Sequence, residues 1–510
     1  MIQAIRFQVF ATILVIVATG CATGPIEYPR SYSKIITDTR DTKMGRAAAK
    51  WRSIHPGTSG VYPLNKGNDA FGARLALIDT AERSIDAQYF LMKNDMAGLV
   101  FVDKLLEAAD RGVRVRLLLD DVFTEVDDDD FLLINQHPNV EMRLFNPVGR
   151  GAYWLNYVAD FDRANRRMHN KSFTIDNHVT IVGGRNIAEE YFELKSKEEF
   201  RDFDIIVLGP AAGEVGQVFD RFWNHELSVP VEAFSKGEPK QELDDVRTEI
   251  DKDIREQSNS IYAKATGSKL IQDLFFAREP LFPAEVEVIT DDPDKLRNVI
   301  SRDHQILINR MAEVVANAES EIIVVTPYLI PGDEGIEFWE YVADKGVRVI
   351  MLTNSLASNN HIPVHAAYAR YRHRLIQAGI ELHEMRVNAI DIPEDDEESD
   401  FESVTLHTKA IMVDRRFTFI GSLNLDPRSI DINTEMGVLV DSKDMAERLA
   451  TVFMERLPKF TYRVVENDNG DLRWHALVNG EKVIEDSEPQ ADTWRRFKAF
   501  FSRILPESQL

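Results

Sequence analysis

Residues Met168 to Asn186, reading MHNKSFTIDNHVTIVGGRN, return far downstream as Leu406 to Asn424, LHTKAIMVDRRFTFIGSLN. In each copy a His is followed two positions on by a Lys and seven on by an Asp, then by Gly-Gly or Gly-Ser and an Asn. The chain therefore reads as a duplicated catalytic half. In an extended strand residues i and i+2 share a face, so His169 lies beside Lys171, and His407 beside Lys409. Phe173, Ile175, Ile411 and Val413 give those strands a buried side, and Asp176 and Asp414 end them. A second apolar run, VTIVGG or FTFIGS, returns to the same level and brings Asn186 and Asn424 near the His-Lys pairs.

If the copies face each other across a pseudo-twofold, two imidazoles, two ammoniums and two carboxamides converge on one pocket. Such a pocket suits a phosphodiester. The lysines and asparagines hold the non-bridging oxygens, one His attacks phosphorus, and the other protonates the leaving oxygen. Two unrelated half-buried histidines on strands would be the plain alternative, and the repeated Gly and Asn weigh against it.

The duplication reaches beyond these motifs. AADRGVRVRLLLDD, within Asp95 to Asp121, is echoed by YVADKGVRVIMLTN, Tyr341 to Asn354. A helix, a Gly turn and a Val/Leu-rich strand signal parallel strands joined by crossover helices. The expected fold is α/β, with two duplicated domains, each a mixed β-sheet flanked by helices. The expected boundaries are a signal peptide at 1–20, a tether at 21–63, and domains at 64–285 and 286–510. The charged helical QELDDVRTEIDKDIREQ decorates the connection, and AEVEVITDDP supplies the first strand of the second half.

The paired HxKxxxxD and G(S/G)xN motifs resemble the phospholipase D superfamily. MHNKSFTIDNHVTIVGGRNI, GSLNLDPRSIDINTEMG, LTNSLASNN followed by VHAAYARYR, and RLFNP are similar to the C-type bacterial cardiolipin synthases, from about Gly57 to the C-terminal ILP. The resemblance implies two catalytic motifs, His169, Lys171, Asp176 and His407, Lys409, Asp414, with Asn186 and Asn424 on the phosphate. Asp176 and Asp414, at strand ends, are expected to be structural ion-pair residues, not proton carriers. Aligning DFDIIV with EMGVLV pairs Asp202 with Glu435. The resemblance makes these the histidine-orienting carboxylates, as in the third member of a triad, and Asp202 is expected to hold His169. His169 then forms a phosphatidyl-histidine while His407 acts as acid and base. The implied reaction joins phosphatidylglycerol to a phosphatidyl group from a second phospholipid, phosphatidylethanolamine by resemblance, without metal or cofactor. A phospholipase D hydrolase releasing phosphatidic acid shares the same intermediate.

The formal net charge of -24 argues against nucleic acid as a partner, since a polyanion is bound largely through cationic surface; a nuclease-type phosphodiesterase is the weaker reading. A non-catalytic envelope binding protein on a dead scaffold would have lost a His or Lys. Phospholipids and a membrane surface are the expected partners, with any accessory protein unknown. At the N-terminus FQVFATILVIVATG is too short to span a bilayer comfortably and runs into Ala18-Thr19-Gly20-Cys21. That pattern resembles a bacterial lipoprotein signal with Cys21 as the lipidated residue, which places the enzyme in the cell envelope on the periplasmic side. An uncleaved anchor with an incidental Cys is the alternative.

Three further stretches bear on access. Tyr153, Trp154 and Tyr157 could line the pocket lip or pack an ordinary loop, and Arg166 and Arg167 could strengthen local positive potential or be solvated. The run IPEDDEESD at Ile392 to Asp400 reads as a loop or lid. TWRRFKAFFSRIL places Trp494, Phe497, Phe501 and Ile504 at helical spacing among Arg and Lys, which suits an anionic lipid surface or a helix docked on the second domain.

Overall fold

A computed structural model of the chain describes residues 28–150, 161–193, 198–234, 241–257, 281–297, 301–387, 403–478 and 480–507, with residues 265, 270 and 274. The signal-like segment with Cys21, the aromatic residues Tyr153, Trp154 and Tyr157, and the acidic insert lie outside the described residues.

The first half contributes β1 (Ser59–Leu64), β2 (Ser84–Tyr89), β3 (Arg114–Asp120), β4 (Val140–Phe145), β5 (Ser172–Ile175), β6 (Val179–Gly183), β7 (Glu198–Arg201), β8 (Asp204–Leu208) and β9 (Ser228–Pro230). The second contributes β10 (Phe282–Thr290), β11 (Glu321–Val325), β12 (Arg348–Asn354), β13 (Glu381–Met385), β14 (Ser403–Leu406), β15 (Ala410–Val413), β16 (Phe417–Gly421), β17 (Met436–Asp441), β18 (Thr461–Glu466), β19 (Leu472–Val478) and β20 (Glu481–Glu485). In the first half the registers run β9-β4-β3-β2-β5-β6-β8-β1, with β2, β3 and β4 parallel. In the second they run β10-β17-β16-β15-β11-β12-β13-β18-β19-β20, with β11, β12 and β13 parallel.

The two orders are the same order from the junction outward, so the duplication covers whole sheets. They are not separate sheets, however. β1 pairs antiparallel with β10, Ser59 opposite Ala284 and Val61 opposite Phe282, which makes one continuous 18-stranded sheet. Antiparallel pairing at the junction is what a twofold perpendicular to the strands requires.

The helix-turn-strand units form where the sequence marks them. Helix Met96–Asp110 is capped by Asp95, whose side chain accepts from Gly98 N at 3.0 Å, and stops at Gly112, φ 88°. Helix Gly332–Asp344 stops likewise at Gly346, φ 84°. A glycine in the left-handed region at that position ends a helix without a Cβ clash. Val115, Leu117, Leu118 and Leu119 of β3 are buried, as are Val349, Ile350, Met351 and Leu352 of β12, as expected for parallel strands covered on both faces. One core cluster combines Val61, Ile205 and Val207 of the first half with Ala284, Ile420, Val438 and Val440 of the second, so the halves share apolar core.

The expected tether at 21–63 is folded over much of its length. Lys43–Ile54 is a helix capped by Thr42, and β1 is an interior strand of the sheet. Arg30 Nη1 donates to the carbonyls of His225 (3.0 Å) and Ser228 (3.1 Å), and Ser33 N donates to Asn224 Oδ1 (3.1 Å). The turn-rich composition reads as a linker, yet its polar groups find their partners on the body, not on each other. The charged connection is helical at Leu243–Gln257, with Arg247 paired to Asp110 at 2.6 Å. Among the described residues no helix is long and apolar enough to cross a membrane.

Candidate active site

β5 starts, β6 ends and β8 starts at one edge of the first-half sheet, which collects His169, Lys171, Asn186 and Asp202 there. β15, β16 and β17 do the same for His407, Lys409, Asn424 and Glu435. The intervening hairpin turns through Asp176 and Asn177 at φ 49° and 56°, and through Asp414 and Arg415 at φ 53° and 49°. Asp and Asn tolerate that left-handed conformation better than most residues. Among the described residues the expected ion pairs do not form at these aspartates. Asp176 Oδ1 accepts from Arg83 N (2.8 Å) and Ser84 N (3.0 Å). Asp414 accepts from Glu319 N (2.9 Å), Ser320 N (2.8 Å) and Glu321 N (3.1 Å). Each carboxylate meets the start of the neighbouring strand, β2 or β11, whose free N–H groups need an acceptor; each therefore pins a hairpin, away from the reacting groups.

The halves exchange their supports. His169 N donates to Thr434 O at 3.0 Å and Thr434 N to Arg167 O at 3.1 Å, while His407 N donates to Arg201 O at 2.8 Å. β14, which ends beside His407, runs parallel to β7. The side chains follow the backbone: His169 Nδ1 lies 2.9 Å from Glu435 Oε2, and His407 Nδ1 lies 2.6 Å from Asp202 Oδ2. Alignment identified both carboxylates, yet Asp202 does not hold His169 as expected. Asp202 follows β7, and β7 is seated against the strand that delivers His407. Nδ1 of each ring is thus turned to a carboxylate and Nε2 away from it, with Lys409 Nζ 3.3 Å from Nε2 of His407.

The Gly-Gly and Gly-Ser variants match their carboxylates. A Cβ on Gly184 would run into the Asp202 carboxylate, so the short Asp needs glycine there. At the equivalent place Ser422 donates its hydroxyl to Glu435 Oε2. Lys171 Nζ donates to His169 O (2.7 Å) and sits 5.1 Å from the Phe90 ring centre. Lys409 Nζ donates to His407 O and lies 2.8 Å from His407 Nδ1. Asn186 Nδ2 donates to Tyr191 OH at 2.9 Å; its Oδ1 and that of Asn424 are buried without a hydrogen-bond partner. Buried amide atoms are rarely left unpaired; as acceptors these two oxygens await a donor, and only the Nδ2 groups can donate to a phosphoryl oxygen.

Aromatic rings, which sequence reasoning missed, fix both imidazoles. Phe90 meets His169 edge-on at 4.8 Å. Phe200 stacks on His407 at 5.1 Å and 16°, with Tyr191 edge-on at 5.2 Å. Phe90 directly follows β2, and Phe200 stands two residues before Asp202; those positions were the available signal. Arg167 neither faces the pocket nor is solvated: it is buried on Asp120 at 2.9 Å and on the carbonyls of Phe145 and Asn146. Asp120 also accepts from Met168 N at 2.9 Å, locking the residue before His169. Arg166 turns back onto Asp162 O at 3.2 Å.

Burial, then the neighbouring lysines, holds the His169 imidazole well below its ordinary pKa, and burial with Lys409 lowers His407 to about 3. Burial also depresses both ammoniums, Lys409 to about 8 and Lys171 well below its usual range. The carboxylates diverge. Burial pushes Glu435 up to about 7. For Asp202 burial acts upward too, but Lys409 and His407 outweigh it and hold the group below the usual carboxylate range. The site thus offers neutral imidazoles and crowded, poorly solvated ammonium groups, an arrangement that an entering anion relieves.

Two half-sheets of this order, with paired His-Lys motifs and crossed carboxylates between them, define a phospholipase D-type enzyme. The chain belongs to the PLD-like cardiolipin synthase family, whose profile, described as "Cardiolipin synthase, PLD-like domain", matches residues 75–223 and 311–457. It is 35% identical to "Cardiolipin synthase C" of Escherichia coli (strain K12), over 91% of this chain and 98% of that one. It is 24% identical to "Cardiolipin synthase" of Oceanobacillus iheyensis, over 80% of this chain and 71% of that one. Among solved structures it is similar to phosphatidylserine synthase of Haemophilus influenzae Rd KW20, with a TM-score of 0.55 and 13% identity over 91% of this chain and 100% of that one. That likeness concerns the fold.

Proposed function

We propose that this enzyme makes cardiolipin by transferring a phosphatidyl group to phosphatidylglycerol through a phosphatidyl-histidine. The observation that carries the reading is the crossed pair of carboxylate-held imidazoles, both buried, with a lysine beside each. His169 Nε2 attacks the donor phosphorus, and the bond from phosphorus to the headgroup oxygen breaks as His407 Nε2 gives that oxygen its proton. His407 then takes the proton of the glycerol hydroxyl of phosphatidylglycerol. That oxygen attacks phosphorus and the phosphorus–nitrogen bond breaks, restoring His169. Lys171, Lys409, Asn186 and Asn424 hold the phosphoryl oxygens.

The electrostatics support this division of roles. A nucleophile must be neutral, and Glu435, weakly ionised, does little to charge His169. An acid must carry a proton, and the firmly anionic Asp202 favours an imidazolium at His407 once a phosphodiester anion offsets the lysines. Phosphatidylethanolamine is the proposed donor. We place the enzyme in the bacterial envelope, anchored through a lipidated Cys21 on the periplasmic side, which suits a reaction whose substrates both reside in a bilayer.

Product analysis tests the reading. Protein and its His169→Ala variant are given labelled phosphatidylglycerol in vesicles, with and without phosphatidylethanolamine. Cardiolipin from the wild type alone, increased by phosphatidylethanolamine, is expected. Phosphatidic acid without cardiolipin would make the enzyme a hydrolase.

A further inference from the structure

The C-terminal helix Thr493–Ser502 buries none of its residues. At 100° per residue, Phe500, Ile504, Phe497, Phe501, Trp494 and Leu505 fall within one arc of about 140°, and all six are exposed, Trp494 at 62%, Phe500 at 63% and Ile504 at 83%. The polar side faces the body. Arg495 donates through Nε to Leu356 O at 2.6 Å and through Nη2 to Asn359 O, and Arg496 turns onto Glu488 O at 2.7 Å. Beyond the helix, Glu507 is fixed by Arg370 (2.7 Å) and Tyr371 (2.5 Å). A surface helix of a globular protein normally turns its apolar face inward; this one is held by its arginines, turns Trp494, Phe500 and Ile504 outward, and leaves Phe497, Phe501 and Leu505 about half exposed at an open groove.

Between Trp494 and Leu505 there are four basic residues and no acidic one, in a chain of net charge -24. Lys498 and Arg503 extend over the rings of Trp494 and Phe500, 5.3 and 5.9 Å from their centres, the posture of long cations at an apolar–aqueous boundary. Under the helix a groove of about 580 Å³ opens between Phe497, Phe501 and Leu505 and the segment Asn360–Pro363. His361 of that segment meets Tyr328 edge-on at 5.6 Å, and Tyr328, three residues past β11, lies within electrostatic reach of Tyr191, the ring edge-on to His407, so the groove leads toward the active-site edge.

We propose that this arc is a docking surface for an anionic phospholipid bilayer and seats the active-site edge on the membrane that holds its substrates. The inference rests on the catalytic reading above for its purpose, not for its test. The single Cys of the chain allows a local probe: Cys21→Ser with Phe500→Cys carrying a polarity-sensitive dye, in the full chain, so that the signal reports this helix and not the N-terminal segment. Vesicles of phosphatidylcholine with phosphatidylglycerol should shift the emission to the blue, and brominated acyl chains should quench it. Apparent partitioning into pure phosphatidylcholine should be at least about tenfold weaker, because the basic residues lose their counter-charge. A dye that stays in water, or that responds equally to both vesicles, overturns the proposal. In the second arm, Phe497→Ser/Phe500→Ser/Ile504→Ser should lose about tenfold or more activity on vesicles and retain it on short-chain monomeric phospholipids. Equal loss on both overturns the proposal as well. Wild type inactive on both substrates would refute the catalytic reading, while the dye still decides this one.

Discussion

Replacing Asp202 by Asn tests the crossing of supports more sharply than any other change. The carboxylate sits 2.6 Å from His407 Nδ1, both groups buried. When His407 becomes an imidazolium in the reaction, the Asp202→Asn variant would leave that buried charge without its partner, at a cost of about 3–5 kcal/mol. At about 1.4 kcal/mol per tenfold, turnover on phosphatidylethanolamine and phosphatidylglycerol should fall by about two to three and a half decades. Which ring has lost its support is then read from the leaving group. With a phosphatidyl ester of p-nitrophenol, the departing phenolate needs no proton, so a missing acid at His407 no longer matters in the first step. Asp202→Asn should release about one equivalent of p-nitrophenol per enzyme at near wild-type rate and then stall, because the acceptor hydroxyl still needs a base. Glu435→Gln, acting on His169, the proposed nucleophile, should show no such burst. A slow, burst-free Asp202→Asn together with a bursting Glu435→Gln would refute the assignment of roles.

Other expectations follow from the same geometry. Gly184→Ala places a methyl group against the Asp202 carboxylate and should reduce kcat by about a hundredfold or more, whereas Ser422→Ala, removing one buried hydrogen bond to Glu435, should cost about 1–3 kcal/mol in kcat. Asp414→Ala removes the acceptor of the partly exposed backbone N–H groups of Glu319, Ser320 and Glu321; denaturant unfolding should show a loss of about 1–2 kcal/mol, with activity per folded molecule on monomeric substrate largely kept. Lys409 is charged only below its depressed pKa of about 8, so kcat/KM should fall as pH rises through that value. In Lys409→Arg, whose guanidinium stays protonated, the part of the alkaline limb centred near 8 should disappear, leaving only the loss due to Lys171.

Much of this was legible in the chain because it is local. His169 and Lys171 share a strand face, the Gly turns before β3 and β12 announce themselves, and the match of Asp202 with Glu435 needs only alignment. What escaped reading depends on neighbours distant in sequence. Nothing in FRDFDIIV says that the strand before Asp202 will lie against Ser403–Leu406, so the carboxylate was placed on its own half's imidazole. Likewise the aspartates of the motifs invited ion pairs, but the groups nearest them are backbone N–H groups at the starts of β2 and β11. β1 sat in a stretch whose polar, turn-rich flanks resembled a linker, and the strands β18, β19 and β20 lie past the last repeat, where no second copy exists to align with β19 and β20.

The exchange of carboxylates has a consequence for how such an enzyme can diversify. In a symmetric dimer of one repeat, every change beside one imidazole is copied beside the other, so both rings must keep the same basicity. Joining the copies in one polypeptide removes that constraint. Here Asp202 with Gly184 and Glu435 with Ser422 occupy equivalent places with different lengths, different partners and opposite displacement of acidity. One covalent connection between repeats is enough to let twin histidines become specialists.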